Sequence, residues 1–98
     1  MESKTIAQLK QMNKAAGNFF FSAGAKRFFN SRIFPNVYAG RAGWYFVTSE
    51  RYEVSPEIPP RYTIRRMDTS GEVHDASEFQ QYNTLANALG DAKQLAKS

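Results

Sequence analysis

The chain has 98 residues, 42% of them hydrophobic and 14% aromatic, a composition that predicts one folded domain rather than a disordered chain. It has no cysteine and one histidine, which excludes disulfides, thiolate zinc sites, cysteine nucleophiles and multi-histidine metal clusters. No apolar stretch approaches the roughly 20 residues of a membrane helix. Because the N-terminus has no apolar signal-peptide core, we expect a cytoplasmic protein.

The first predicted element is a helix from Ser3 to about Ala16. Apolar side chains recur there at steps of three and four residues, which places them on one helical face; they are Ile6, Leu9, Met12 and Ala16. Ser3 is the predicted N-cap, and Gly17 supplies the left-handed residue that commonly ends a helix.

An aromatic run at 19–21 follows, and we expect it to line the core as an extended segment. A short second helix, capped by Ser22, is predicted to end before Pro35, because proline disfavours helix in the residue that precedes it. Arg32 falls on the apolar face of this helix. A buried arginine needs an ion-pair partner, and the predicted partner is Glu50.

From residue 37 onward the hydrophobic period changes from 3.6 to 2, which predicts strands. Residues 37–39 and 44–49 flank a turn at 40–43 that begins and ends with glycine, the pattern of a β-hairpin. A second predicted hairpin joins 61–67 to a weaker strand at 72–75. The last element is a helix whose predicted N-cap is Thr84. Its apolar stripe is Leu85, Ala88, Leu89, Ala92, Leu95 and Ala96.

This order of elements predicts a single α+β domain over residues 1–98. We expect a three- to four-stranded antiparallel sheet with the N-terminal and C-terminal helices packed on one face. The other face would then be solvated or would contact a partner. Residues 51–60 hold three of the four prolines and cannot join a central strand, so they are predicted to form a long exposed connection.

Basic charge is concentrated in the middle of the chain. Residues 26–66 contain eight basic residues, seven of them arginine, against three glutamates, and the formal net charge of the whole chain is +4. These arginines alternate with aromatic residues, a combination that suits single-stranded nucleic acid or a nucleotide, because rings stack on bases and guanidinium groups bind phosphates. The alternative is that the arginines form ordinary ion pairs and the rings lie in the core.

The densest basic segment is the predicted strand 61–67. If Tyr62 and Ile64 point inward, then Arg61, Thr63 and Arg65 share the opposite face and together hold one anionic group. The alternative is a basic edge strand that prevents aggregation. Tyr52 in the proline-rich connection is a second candidate, since aromatic side chains on restricted loops often anchor interfaces.

We expect no enzymatic activity, no cofactor and no metal. His74 has Glu72 and Asp75 nearby, but a single histidine in a hairpin is usually an exposed side chain. The glycines at 40 and 43 do not form a phosphate-binding loop, because no Lys-Ser or Lys-Thr follows and the next element is a strand.

Several segments resemble a family of small proteins carried by phages and other mobile genetic elements. The resemblance rests on Asn13 with Gly17, on RFFNSRI at 27–33, on YFVTSE at 45–50 and on RYTIR at 61–65. It implies an accessory protein of such an element. Many of these proteins are compact, non-enzymatic binders that block host defence, as anti-CRISPR proteins do, and others sequester nucleotide signals. A DNA mimic is not expected, because such mimics are strongly acidic.

The predicted function is therefore a small phage or mobile-element protein that inhibits a host-defence component through a basic, aromatic surface. Its partner would be a defence protein or its nucleic acid, with a homo-oligomer as one possible arrangement. The alternatives are a nucleic-acid-binding module and a sponge for a nucleotide signal. The predicted binding residues are Arg41, Tyr45, Arg51, Tyr52, Arg61, Arg65 and Arg66.

Overall fold

The computed structural model describes residues 2–28, 31–51 and 59–98, and it has an α+β fold that confirms the predicted class. The helices are α1 (Ile6–Ala15), α2 (Ala23–Phe28) and α3 (Leu85–Lys97). The strands are β1 (Arg32–Ile33), β2 (Tyr38–Gly40), β3 (Gly43–Glu50), β4 (Arg61–Met67) and β5 (Val73–Asp75). Most of the proline-rich connection, including Tyr52, lies outside the described residues. In the described part of the chain, no helix is both long enough and apolar enough to cross a membrane.

The five strands form one antiparallel sheet in the order β1-β3-β4-β5, with β2 also paired to β3. β1 and β2 pair with opposite ends of β3, so they share one edge of it, and Pro35 lies between them. β3 is central, and all eight of its residues are buried. The sheet therefore has one strand more than the predicted three to four, and the additional strand is the short β1.

Both faces of the sheet are covered, each by a different helix. On the α1 face, Leu9 packs with Trp44, Phe46 and Met67. On the α3 face, Ala88 and Ala92 pack with residues of β3 and β4, namely Tyr45, Val47 and Ile64. The prediction that both helices share one face is wrong. Because alternate residues of β3 are large and apolar on both sides, each face needs a layer of its own.

The residues at the helix ends agree with the sequence predictions, except for the N-cap of α1. Thr84 caps α3 as predicted, and Ser22 accepts a hydrogen bond from the backbone N–H of Ala25 at the start of α2. Gly17, with φ of 81°, follows α1 in the predicted left-handed conformation. α1, however, is capped by Thr5 rather than Ser3, because the side chain of Gln8 completes a capping box with Thr5.

The segment that precedes β2 differs from its prediction. Arg32 lies in β1 rather than on a helix, and its register partner in β3 is Ser49. Successive side chains of a strand point to opposite faces of the sheet, so Ile33 packs in the α1-face core and Phe34 in the α3-face core. A short helix lying on one face of the sheet cannot place both side chains in this way. Of the run at 19–21, Phe20 and Phe21 join the core, but Phe19 is 75% exposed.

Substitutions at two glycines test how closely α3 packs on the sheet. A Cβ on Gly40 would lie 2.7 Å from the backbone oxygen of Ala96 in α3, whereas a Cβ on Gly90 would have no neighbour within 4 Å. We expect Gly40→Ala to lower the free energy of unfolding by about 1–3 kcal/mol, because the helix must shift. Gly90→Ala should raise it by up to about 1 kcal/mol, through helix propensity. Urea denaturation measures both, and equal effects would contradict this packing.

Candidate functional site

A buried carboxylate occupies the place where the sequence predicts an anion-binding strand. The Glu50 side chain is 1% exposed and lies on the α1 face, next to β4. Thr48 donates a hydrogen bond to its Oε1 atom, and Thr63 donates to Oε2 over 3.0 Å. The Nη2 atom of Arg65 lies 2.7 Å from Oε1. The group held between the threonines and the arginine is thus the protein's own glutamate.

Arg65 is neutralised and enclosed from several sides. Its Nη1 atom pairs with Asp75 of β5, and its Nε atom donates to Thr48 over 3.1 Å. The guanidinium carbon lies 5.4 Å from the ring centre of Phe20 and 5.6 Å from that of Phe79. The predicted ion pair between Arg32 and Glu50 is wrong, because alternation puts Arg32 on the α3 face and leaves Glu50 to Arg65.

Glu50→Gln tests this network. The substitution leaves the Arg65 guanidinium, whose side chain is 11% exposed, without its buried counterion. We expect a loss of about 3 kcal/mol in the free energy of unfolding, as for other broken buried pairs. Glu78→Gln, at an exposed glutamate, is the matched control and should change it by less than about 0.5 kcal/mol. Similar urea midpoints for the two variants would show that the pair contributes no net stability.

The other predicted binding residues are divided between the two ends of the sheet. At one end, Arg66 donates to the backbone oxygen of Ala42 over 2.7 Å, and Arg41 is exposed in the adjoining turn. At the other end, Arg51 follows β3, and Arg61 donates to the backbone oxygen of Gln80 over 2.7 Å. Tyr45 is buried in the α3-face core. These residues therefore do not form one continuous surface.

The most distinctive basic feature is a cleft at the end of the sheet where β1, β3 and β4 meet. It has a volume of about 280 Å³, and its lining residues are Ser31, Arg32, Phe34, Ser49, Arg51, Pro60 and Tyr62. The register places Arg32 opposite Ser49, and Ser49 opposite Tyr62, in one row across three strands. We call this feature the Arg32–Arg51 cleft.

The side-chain hydrogen-bond donors of this cleft have no acceptor in the part of the chain that the structure describes. Within residues 2–28, 31–51 and 59–98, neither guanidinium has an ion pair, and no hydrogen bond involves the hydroxyls of Ser31, Ser49 or Tyr62. None of the described residues that line the cleft is acidic. The Arg32 guanidinium lies 5.3 Å from the centre of the Phe34 ring, and the Phe34 and Tyr62 ring centres are 5.9 Å apart. The cleft therefore offers positive charge beside an aromatic wall.

Of the residues that line this cleft, only Arg51 is among the binding residues predicted from the sequence. The sequence predicts that Arg32 forms an internal ion pair and that Tyr62 points inward, and it gives Phe34 no role. The available signal was the spacing of Arg32 and Phe34, which an extended strand puts on one face. Recognising the cleft also required the register of β1 on β3, which no local pattern specifies.

A second polar cluster lies in the turn between β4 and β5. Ligand atoms of Asp68, Glu72 and His74 lie within 4.8 Å of one another. Hydrogen bonds from the Ser70 hydroxyl, and next from His74, hold the pKa of Asp68 well below its ordinary value. Asp68 also accepts from the backbone N–H groups of Ser70 and Glu72. These hydrogen bonds of Asp68 stabilise the turn between β4 and β5.

The low pKa of Asp68 predicts a pH dependence of stability. Because the folded state binds this proton more weakly than the unfolded state does, the contribution is present above the ordinary pKa of 3.8 and is lost as the pH falls below it. Urea denaturation between pH 2 and pH 7 should therefore show a shallower acid loss for Asp68→Asn than for the wild-type protein. Identical pH profiles would mean that Asp68 has the same pKa in both states.

The comparison with protein families places this chain in a family of unknown function (DUF7447), whose model matches residues 5–93. The chain belongs to that family. The match covers α1, α3 except for its last turn, the whole sheet and the Arg32–Arg51 cleft. No curated protein and no solved structure matches the chain.

Proposed function

We propose that this protein acts by stoichiometric binding and that it blocks a component of host defence on behalf of a phage or another mobile genetic element. The observation that carries the proposal is the Arg32–Arg51 cleft, whose two guanidinium groups have no carboxylate partner among the described residues. Arginine forks bind phosphate and carboxylate groups strongly. The part of the proposal that concerns mobile elements is supported by the resemblance of the segments at 27–33, 45–50 and 61–65.

The Arg32–Arg51 cleft excludes most of the binding residues predicted from the sequence, including Arg41, which is exposed at the opposite end of the sheet. Arg65 is neutralised by Glu50 and Asp75, and Arg61 and Arg66 donate to backbone carbonyls. Arg51 remains, and Arg32 joins it. Both lie at the same end of the sheet as Glu50 and Arg61, with Pro60 also lining the cleft.

A phage-plating experiment tests this function. The wild-type protein, the Arg32→Gln/Arg51→Gln double variant and Arg41→Gln are each expressed in bacterial strains that carry one defined defence system each. We expect the wild-type protein to restore plating of a restricted phage in at least one strain, and the double variant to lose most of this effect. Arg41→Gln, which alters an exposed arginine at the other end of the sheet, should behave as wild type.

Two results would contradict the proposal. One is a wild-type protein that restores plating in none of the strains although it accumulates in the cells. The other is a double variant that restores plating as well as the wild type does. Circular dichroism of the purified variants shows that they are folded. Neither arginine side chain makes a hydrogen bond or an ion pair in the described part of the chain, so the fold should be unaffected.

A further inference from the structure

We infer that the Arg32–Arg51 cleft binds a nucleoside phosphate, with the phosphate on the two arginines and the base against the rings of Phe34 and Tyr62. This inference rests on the proposed binding function and names the chemical class of the ligand. The candidate ligands share one feature, a single phosphorylated nucleoside. It is either a free nucleotide or the terminal residue of a single strand.

The donors of the cleft favour a phosphate over a carboxylate. Five side chains of the cleft carry hydrogen-bond donors without an acceptor in the described residues: Ser31, Arg32, Ser49, Arg51 and Tyr62. A carboxylate presents two oxygens in one plane. A phosphate monoester presents three terminal oxygens in a tetrahedral arrangement, so it accepts from donors that approach from several strands. Donors on β1, β3 and β4 therefore match a phosphate better.

The aromatic wall favours a nucleoside over an inorganic anion. The Phe34 and Tyr62 rings lie 5.9 Å apart with an interplanar angle of 49°, and both residues are partly exposed. Flat bases gain free energy by packing on aromatic rings and on guanidinium planes. An inorganic anion makes no use of such a wall. The combination of rings with unpaired arginines therefore points to a ligand that has both a base and a phosphate.

The dimensions limit the ligand to about one nucleotide. The volume of about 280 Å³ lies near the lower end of the range of roughly 300–1,000 Å³ that is usual for small-molecule sites. The cleft is bounded by three strands and by Pro60, and its Ser49 is 6% exposed. It takes a mononucleotide or one strand end, whereas a duplex is too wide to enter it.

The lining is held in place before a ligand arrives. Arg32 lies over the Phe34 ring, Ser49 belongs to the fully buried strand β3, and Tyr62 exchanges two backbone hydrogen bonds with Tyr82. Because these contacts order the site in advance, less conformational entropy is lost when a ligand binds.

Calorimetric titration of the 98-residue chain at low salt tests the inference. The probes are inorganic phosphate, adenosine, the four ribonucleoside 5′-monophosphates, and a trinucleotide with and without a 5′-phosphate. We expect at least one monophosphate to bind about tenfold or more tightly than either phosphate or adenosine alone, because it uses both halves of the cleft. Tighter binding of the phosphorylated trinucleotide would identify a strand end as the source, and tighter binding of the monophosphate would identify a free nucleotide.

Variants locate the binding. Arg32→Gln and Arg51→Gln should each weaken it about tenfold or more, Tyr62→Phe should weaken it less, and Arg41→Gln should leave it unchanged. Backbone amide NMR shifts that change on titration should cluster at Ser31–Phe34, Ser49 and Tyr62. If no probe binds at millimolar concentration, or if Arg32→Gln and Arg51→Gln bind as the wild type does, the inference is wrong.

The plating experiment separates this inference from the proposed function. If the cleft arginines are required for restored plating but no nucleotide binds, the partner is an acidic protein and only the ligand assignment fails. If a nucleotide binds but the wild-type protein restores plating in no strain, the ligand assignment holds and the role in counter-defence fails.

Discussion

The buried Glu50 carboxylate is the constraint around which one end of this fold is organised. A charge with 1% exposure is costly to remove from water unless partners replace the water. Here β3 supplies Thr48, and β4 supplies Thr63 and Arg65. Arg65 in turn pairs with Asp75, so a single carboxylate links three neighbouring strands. The register of these strands is specified by polar contacts as well as by the apolar core.

The same network holds the chain segment that follows β5. The backbone N–H of Gln80 donates to the Thr63 hydroxyl, and its side chain donates to the backbone oxygen of Glu50. Gln80 has a φ of 58°, a left-handed conformation that is unfavourable for a residue other than glycine. Its backbone oxygen also accepts from Arg61. Three hydrogen bonds therefore hold Gln80 in this conformation and bring Tyr82 alongside Tyr62.

This arrangement divides the basic residues by role. The charge of Arg65 is neutralised inside the protein by Glu50 and Asp75, whereas Arg61 and Arg66 of the same strand donate to backbone carbonyl groups. Arg32 and Arg51 lie on the other face of the sheet, where the described residues that line the cleft include no carboxylate. Membership of a family of unknown function does not assign a ligand to this cleft. The proposed ligand is inferred only from the hydrogen-bond donors and the aromatic rings of the cleft.

Local patterns in the sequence were sufficient for the α+β class, for the hairpins at 37–49 and 61–75, and for the Thr84 cap. Each of these depends on residues close together in the chain. The placement of the helices on opposite faces, the strand at Arg32 and the pairing of Glu50 with Arg65 depend on which strands become neighbours. The strand order is determined by the packing of both faces of β3 and by the hydrogen bonds of the buried Glu50 carboxylate. For this reason only the tertiary structure decides which arginines remain open to a ligand.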